Sequence, residues 1–122
     1  MESTRQHKYA RLIQREIGEI LQKEAKHIIG QAFMTITAVK VSPDLSFAKV
    51  FVSILQKQER QAQFELLEDH KSEFRKYLGN RIGKQVRVVP DLAFFLDETE
   101  DEAARIEDIL ANLDIPPEDK ED

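Results

Sequence analysis

The chain has 122 residues, of which 41% are hydrophobic and none is cysteine. This apolar share predicts one folded domain with a small core, and the lack of cysteine excludes disulfides and thiolate metal sites. No apolar run approaches the ~18 residues of a membrane-spanning helix. The opening MESTRQHKYAR has no apolar signal-peptide core, so we expect a cytoplasmic protein without a membrane partner.

The net charge of −5 hides an asymmetry along the chain. Residues 1–90 carry 16 Lys+Arg against 10 Asp+Glu, a net of +6, whereas residues 91–122 carry 2 against 13, a net of −11. Only the first part can approach phosphate groups favourably. The pattern therefore predicts a basic working domain followed by an acidic extension.

Apolar residues at steps of three and four predict a first helix over residues 4–28. Ser3 and Gln6 have the spacing of a capping box, and Gly30 is suited to end the helix. The apolar stripe indicates a helix that packs on the core.

Residues 33–42 and 46–55 are rich in β-branched side chains and predict two strands. The turn signal Ser42-Pro43-Asp44-Leu45 lies between them, which predicts an antiparallel hairpin. Phe47 and Phe51 share one face of the second strand. For these two rings we expect burial under a helix in preference to stacking on nucleic-acid bases.

Residues 57–83 return to a helical pattern that ends near Gly83. An unbroken helix would place Lys71 in the middle of its apolar face, where an unpaired charge is costly. Either the helix breaks between residues 68 and 73, or the long Lys71 side chain reaches water from a shallow groove. We favour the break.

Residues 85–96 predict a third strand, with Pro90 confining part of it to an edge or bulge. A second capping box at Thr99 then opens an accessory helix over residues 98–113. Its apolar face consists of Ala103, Ile106, Leu110 and Leu113. We expect a core domain over residues 1–97 and a disordered acidic tail over residues 114–122.

The sequence offers little for catalysis. His7, His27 and His70 are too scattered for a metal-ligand spacing, and no cysteine supplements them. The carboxylates of residues 97–102 have the structural role of stabilising a helix start. No nucleotide-binding or nucleophile motif is present. We therefore expect no enzymatic activity, no cofactor, no metal and no small-molecule substrate.

Basic residues are better organised than any catalytic group. One cluster lies on the first helix with no acidic residue inside it, and the other occupies residues 71–87 with a local net charge of +5. Each cluster alone is typical of a solvated surface, but two in one domain favour a polyanion partner. The candidate RNA-binding residues are Arg5, Lys8, Arg11, Arg15, Lys71, Arg75, Lys76, Arg81, Lys84 and Arg87.

The predicted order is helix, strand, strand, helix, helix, strand, with the helices on one face of a three-stranded sheet. This α+β order is that of a KH-like domain of the second topology, although the Gly-x-x-Gly loop that binds single strands in KH domains is absent. The sequence also has no run of interleaved aromatic residues of the kind that stacks single-stranded bases, which favours recognition of folded RNA through shape and backbone over base reading.

Two segments resemble signatures of the ribosome-binding factor A family: VSPDLSFAKVFV at residues 41–52 and VRVVPDLAFFLD at residues 86–97. The resemblance covers about residues 4–112. It implies a KH-like fold with a kinked helix pair, usually marked by Ala-x-Gly, which residues 66–75 lack.

The resemblance further implies binding to the free small ribosomal subunit and its ribosomal RNA. It also implies help in late maturation and RNA processing, and importance for growth in the cold. We expect a monomer. The alternative is a protein-interaction module whose acidic C-terminal segment binds a basic ribosomal protein or another assembly factor.

Overall fold

The first amphipathic segment forms two helices in the computed structural model, which describes residues 2–30 and 32–98. Helix α1 spans Thr4–Lys23 and α2 spans Lys26–Ile29. The predicted capping box at Ser3 is confirmed, and Gly30 ends α2 with a φ of 59°. The single helix predicted over residues 4–28 is wrong at its end. There the Ala25 N–H donates to the Ile20 carbonyl, which turns the chain and buries Ala25.

The predicted hairpin is confirmed. Strands β1 (Met34–Val41) and β2 (Phe47–Ile54) pair antiparallel, with an irregularity in β1 between Ile36 and Ala38. In the turn, Leu45 adopts a φ of 64° and buries its side chain. The branched side chains that face the helices alternate with side chains that face away.

The predicted helix break is confirmed at His70. Helix α3 spans Arg60–Asp69 and α4 spans Lys71–Ile82, with a short 3₁₀ turn before α3 at Lys57–Glu59. The break leaves Lys71 exposed while Phe74 is fully buried, so Lys71 does not have to reach water from a buried position.

The third strand is shorter than predicted. Strand β3 spans Asp91–Leu96 and pairs parallel to β2, at the edge of a sheet ordered β1-β2-β3. Residues 85–90 do not form a strand. The N–H groups of Gln85 and Val86 both donate to the Ile82 carbonyl at the end of α4, and Pro90 has no N–H that could bond to a neighbouring strand.

The result is the expected α+β fold, a KH-like domain of the second topology. Helices α1, α3 and α4 cover one face of the three-stranded sheet and enclose the core with it. Apart from Glu98, the accessory helix predicted over 98–113 and the tail predicted over 114–122 lie outside the described residues.

Gln6 ties the start of α1 to the hairpin. Its buried side chain donates from Nε2 to the Val41 carbonyl at 2.8 Å. A Gln6→Met substitution keeps the volume but removes both the donor to Val41 and the capping-box acceptor of the Ser3 N–H, so we expect the free energy of unfolding to fall by about 1–3 kcal/mol. Urea denaturation measures the change. The control, Gln22→Met on the exposed side of the same helix, should stay within about 0.5 kcal/mol.

Candidate nucleic-acid interface

A groove opens where α4 begins beside the start of β2 and β3. Its volume is about 470 Å³, and Phe47, Lys71, Ser72, Arg75 and Asp91 are among the residues that line it. The break at His70 brings the first turn of α4 to this end of the sheet. Two basic side chains and a hydroxyl therefore lie beside an exposed aromatic ring.

A second groove, of about 350 Å³, adjoins the first at Phe47. Lys40 and Lys49 line it and are paired across β1 and β2. Phe47 lines both grooves and keeps 37% of its surface exposed. The expected burial of Phe47 under a helix is therefore wrong, because the helices cover the other face of the sheet.

The expectation is also wrong for Phe51. Its ring lies on the same face as Phe47, is half-buried, and stacks on the ring of Phe95 at 5.5 Å between centroids. Lys40, Lys49 and Ser72 are not among the RNA-binding residues predicted from the sequence. A signal for the two lysines was present, since a tight turn at residues 42–46 sets the register that pairs them.

The turn between β1 and β2 is held by one carboxylate. Asp44 Oδ1 accepts from the Ser42 hydroxyl at 2.7 Å and from both the hydroxyl and the N–H of Ser46. These hydrogen bonds, first that of Ser42, lower the pKa of Asp44 to about 2. The folded pKa lies below the ordinary value, so the stabilisation is present above pH ~4 and is lost as the pH falls through about 2.

Arg75 has a structural role as well as an exposed charge. Its guanidinium donates to the Val89 carbonyl at 2.8 Å and to the Pro90 carbonyl at 3.2 Å, and it pairs with Asp91 at 3.1 Å. These contacts hold the chain as it enters β3. The side chain keeps 47% of its surface exposed, so a phosphate can still reach it.

Arg81, which the sequence placed among the RNA-binding residues, faces α1 instead of the grooves. Its Nη1 lies 2.9 Å from Glu16 and 2.8 Å from Glu19, and its Nε lies 2.8 Å from Glu24. Only 20% of the side chain is exposed. Hydrogen bonding to Arg81 lowers the pKa of Glu16, and the carboxylates raise the pKa of Arg81. We therefore remove Arg81 from the candidate interface.

The basic stripe of α1 is exposed, as its predicted role requires. Arg15 pairs with Glu16 at 3.2 Å, whereas no carboxylate of the described residues pairs with Arg5, Lys8 or Arg11. The bond from Gln6 to Val41 puts the start of this stripe at the hairpin end of the molecule.

Three further predicted residues lie away from the two grooves. Lys76 is exposed on α4, and Lys84 and Arg87 are exposed on the segment that leads to β3. None of the three lines either groove. The charge cluster of residues 71–87 is thus one stretch of sequence but not one surface.

Within residues 2–30 and 32–98, no group of three or more acidic or histidine side chains could hold a metal ion. The same ranges contain no helix that is long and apolar enough to cross a membrane.

Comparison with known proteins identifies the family. The model of the family described as ribosome-binding factor A matches residues 5–110. The chain belongs to the ribosome-binding factor A family. Ribosome-binding factor A of Cytophaga hutchinsonii is 43% identical over 121 residues, 99% of this chain and 91% of that protein. The Chlorobium luteolum protein of the same name is 40% identical over 112 residues, 91% and 92% of the two chains.

Solved structures of ribosome-binding factor A share the fold. The Thermus thermophilus crystal structure superposes with a TM-score of 0.62 at 21% identity, over 75% of this chain and 94% of that one. A Thermotoga maritima solution structure gives 0.61 at 28% identity, over 78% and 89%. A Thermus thermophilus homology model fitted into the map of a complex with the 30S subunit gives 0.53 at 21% identity, over 73% and 91%.

The ion pairs of Arg81 lead to a stability prediction. We expect Arg81→Met to lower the free energy of unfolding by about 2 kcal/mol at pH 7, because three carboxylates lose their shared partner. Chemical denaturation measures the loss, and Lys76→Met on the exposed side of α4 is the matched control.

The pH dependence of the stability loss in Arg81→Met shows whether the ion pairs cause it. Because the folded pKa of Glu16 is lowered, the stabilisation is present above the ordinary carboxylate pKa and is lost as the pH falls through the lowered value. The difference between wild type and Arg81→Met should therefore shrink below pH ~4. A difference that stays constant down to pH 3 would rule out the ion pairs as its source.

Proposed function

We propose that the protein binds the free small ribosomal subunit by docking the hairpin end of its KH-like domain on ribosomal RNA. The observation that carries the proposal is the exposed ring of Phe47 between two grooves. One groove presents Lys40 and Lys49, and the other presents Lys71 and Arg75. Family membership and the relative fitted into a 30S complex support the choice of partner.

The distribution of charge favours an approach by this end. The first half of α1 contributes Arg5, Lys8 and Arg11, whereas the acidic residues of α1 are in its second half and surround Arg81. Helices α1 and α4 both begin at the hairpin end, where the partial positive charge of a helix start adds to the attraction for phosphate. The opposite end of α1 has no such excess of positive charge.

The chemistry of the surface favours backbone contacts over base reading. Lysine ammonium groups and the Arg75 guanidinium bind phosphate oxygens without regard to sequence. Phe47 adds one ring on which an unpaired base can stack. Recognition would thus depend on the shape of a folded RNA element and on one accessible base.

We assign the protein a role in late maturation of the subunit, including processing of its ribosomal RNA, with its greatest importance in the cold. Family membership supports this role. The protein would act as a cytoplasmic monomer without catalysis, by holding an RNA segment in one conformation. The test compares growth at low temperature of a strain that lacks the gene for this protein with growth of the same strain after the gene is restored. Equal growth and equal amounts of unprocessed RNA would contradict it.

The strongly acidic C-terminal part keeps the protein-interaction alternative in consideration. Deleting residues 114–122 separates the two functions. RNA docking predicts unchanged or tighter association with free subunits, because negative charge is removed. Binding of a basic protein through this segment predicts that the association is lost.

Removing two charges beside Phe47 tests the RNA surface. We expect Lys49→Gln with Lys71→Gln to weaken binding to free small subunits about tenfold or more. The slope of log K against log salt should fall by about 1.5, because two phosphate contacts no longer release counterions. Sedimentation with purified subunits at several salt concentrations measures both quantities.

The matched control removes two exposed lysines at the far end of α1 and in α2, Lys23→Gln with Lys26→Gln. This variant has the same net charge, so general electrostatic attraction affects both variants equally. If the two variants weaken binding by the same factor, the hairpin end is not the docking surface.

A further inference from the structure

The face of the sheet opposite the helices carries an aromatic pair with a cation beside it. Phe51 and Phe95 are partners in the β2–β3 pairing, and their rings stack at 5.5 Å. The Lys49 ammonium lies 5.9 Å from the centre of the Phe95 ring. Phe95 keeps 42% of its surface exposed, and no helix of the described residues covers this face. The stacked rings therefore offer an apolar contact surface that no helix of the described residues uses.

The chain leaves β3 on the same face. The Asp97 N–H donates to the Val52 carbonyl at 2.7 Å, which extends the parallel pairing by one residue. The Asp97 carboxylate then accepts from the Thr37 hydroxyl at 2.6 Å. Thr37 belongs to β1 at the far edge of the sheet, so Asp97 reaches across β2. This bond holds Asp97, the residue before the last described one, on the aromatic face of the sheet.

The sequence after Asp97 has the pattern of an amphipathic helix. Residues 99–113 place Ala103, Ile106, Leu110 and Leu113 at steps of three and four residues. A helix of this length is marginally stable alone in water, so it needs an apolar surface to pack against. Phe51 and Phe95 provide such a surface close to the point where the segment begins.

The length and the charge of residues 99–113 both match the open face of the sheet. A helix over residues 99–113 would be about 22 Å long, close to the roughly 26 Å of the eight-residue strand β2. Residues 99–113 carry five Asp+Glu and one Arg. The aromatic face carries Lys40 and Lys49, which are paired across β1 and β2 and have no carboxylate partner among the described residues.

We propose that residues 99–113 form a helix whose apolar side packs on the open face of the sheet, over Phe51 and Phe95, with its acidic side chains near Lys40 and Lys49. The acidic segment is thus a cover for the sheet. A covalently attached segment has an effective concentration in the millimolar range, so modest contacts are enough to keep it docked.

Docking has a consequence for RNA binding. Lys40 and Lys49 also line the groove next to Phe47, so a docked segment would neutralise part of the proposed RNA surface. This consequence rests on the proposed function, whereas the docking does not.

The absence of cysteine allows a direct test on the full-length free protein. A nitroxide is attached at Ala111→Cys, in the last part of the segment. We expect the amide signals of residues 47–53 and 91–95 to lose most of their intensity by paramagnetic relaxation. Signals from the outward face of α1 should keep theirs. The same label in a chain that also carries Ile106→Asp and Leu110→Asp is the control, and there the loss should disappear.

Three results would overturn the proposal. Equal, weak broadening in both labelled chains would show that the segment does not dock. In a second experiment, an isotope-labelled chain without a nitroxide is mixed with a nitroxide-labelled chain. Broadening of its signals for residues 47–53 and 91–95 would show that the segment of a second copy covers the face. The chemical shifts of the Phe51 and Phe95 rings give the third result. If they stay unchanged when residues 99–122 are deleted but change when an RNA oligonucleotide is added, the face binds RNA and not the segment. Because no ribosome is present, failure here leaves the proposed function standing.

Discussion

At His70 the backbone leaves the helical region, with a φ of −110° and a ψ of 23°, and the carbonyl of His70 still accepts from the Phe74 N–H of the next helix. This interruption lets α3 and α4 take different directions over the same sheet. Phe74 enters the core against Phe94 at 5.6 Å, while Lys71 stays outside it. The grooves around Phe47 depend on this change of direction, because it brings the start of α4 to the start of β2.

The break was predictable, but its consequence for the site was not. The cost of burying Lys71 is a local argument that needs only helical periodicity. No Ala-x-Gly is required, since the backbone angles at His70 are open to any residue. That Lys71 lies beside Phe47 depends on the parallel register of β2 and β3, which pairs Phe47 with Asp91. Local sequence carries no signal for that pairing.

A local cluster of basic residues likewise does not predict which of its side chains share a surface. Lys71, Arg75 and Arg81 belong to one basic stretch of sequence, yet they do different things in the fold. Lys71 is exposed in a groove. Arg75 divides its donors between two carbonyls and a carboxylate, and Arg81 is paired with three carboxylates in the second half of α1 and at its C-cap. The partners of Arg81 lie 57 to 65 residues away, so only tertiary structure reveals them. A count of local charge overestimates a surface whenever such distant pairs form.

The two faces of the sheet connect the remaining features. Strand alternation predicts that Phe47 and Phe51 share a face, but not which face the helices cover. Once α1, α3 and α4 occupy one side, every aromatic residue on the other side must meet solvent, RNA or another part of the chain. Lys49 belongs to both surfaces, since it lines a groove at Phe47 and lies over the ring of Phe95. In the proposed docking, the acidic segment competes with RNA for Lys40 and Lys49. Lys71, Arg75 and the basic stripe of α1 lie outside the proposed contacts, so RNA that also engages these residues should displace the segment more readily than RNA that reaches only the sheet face.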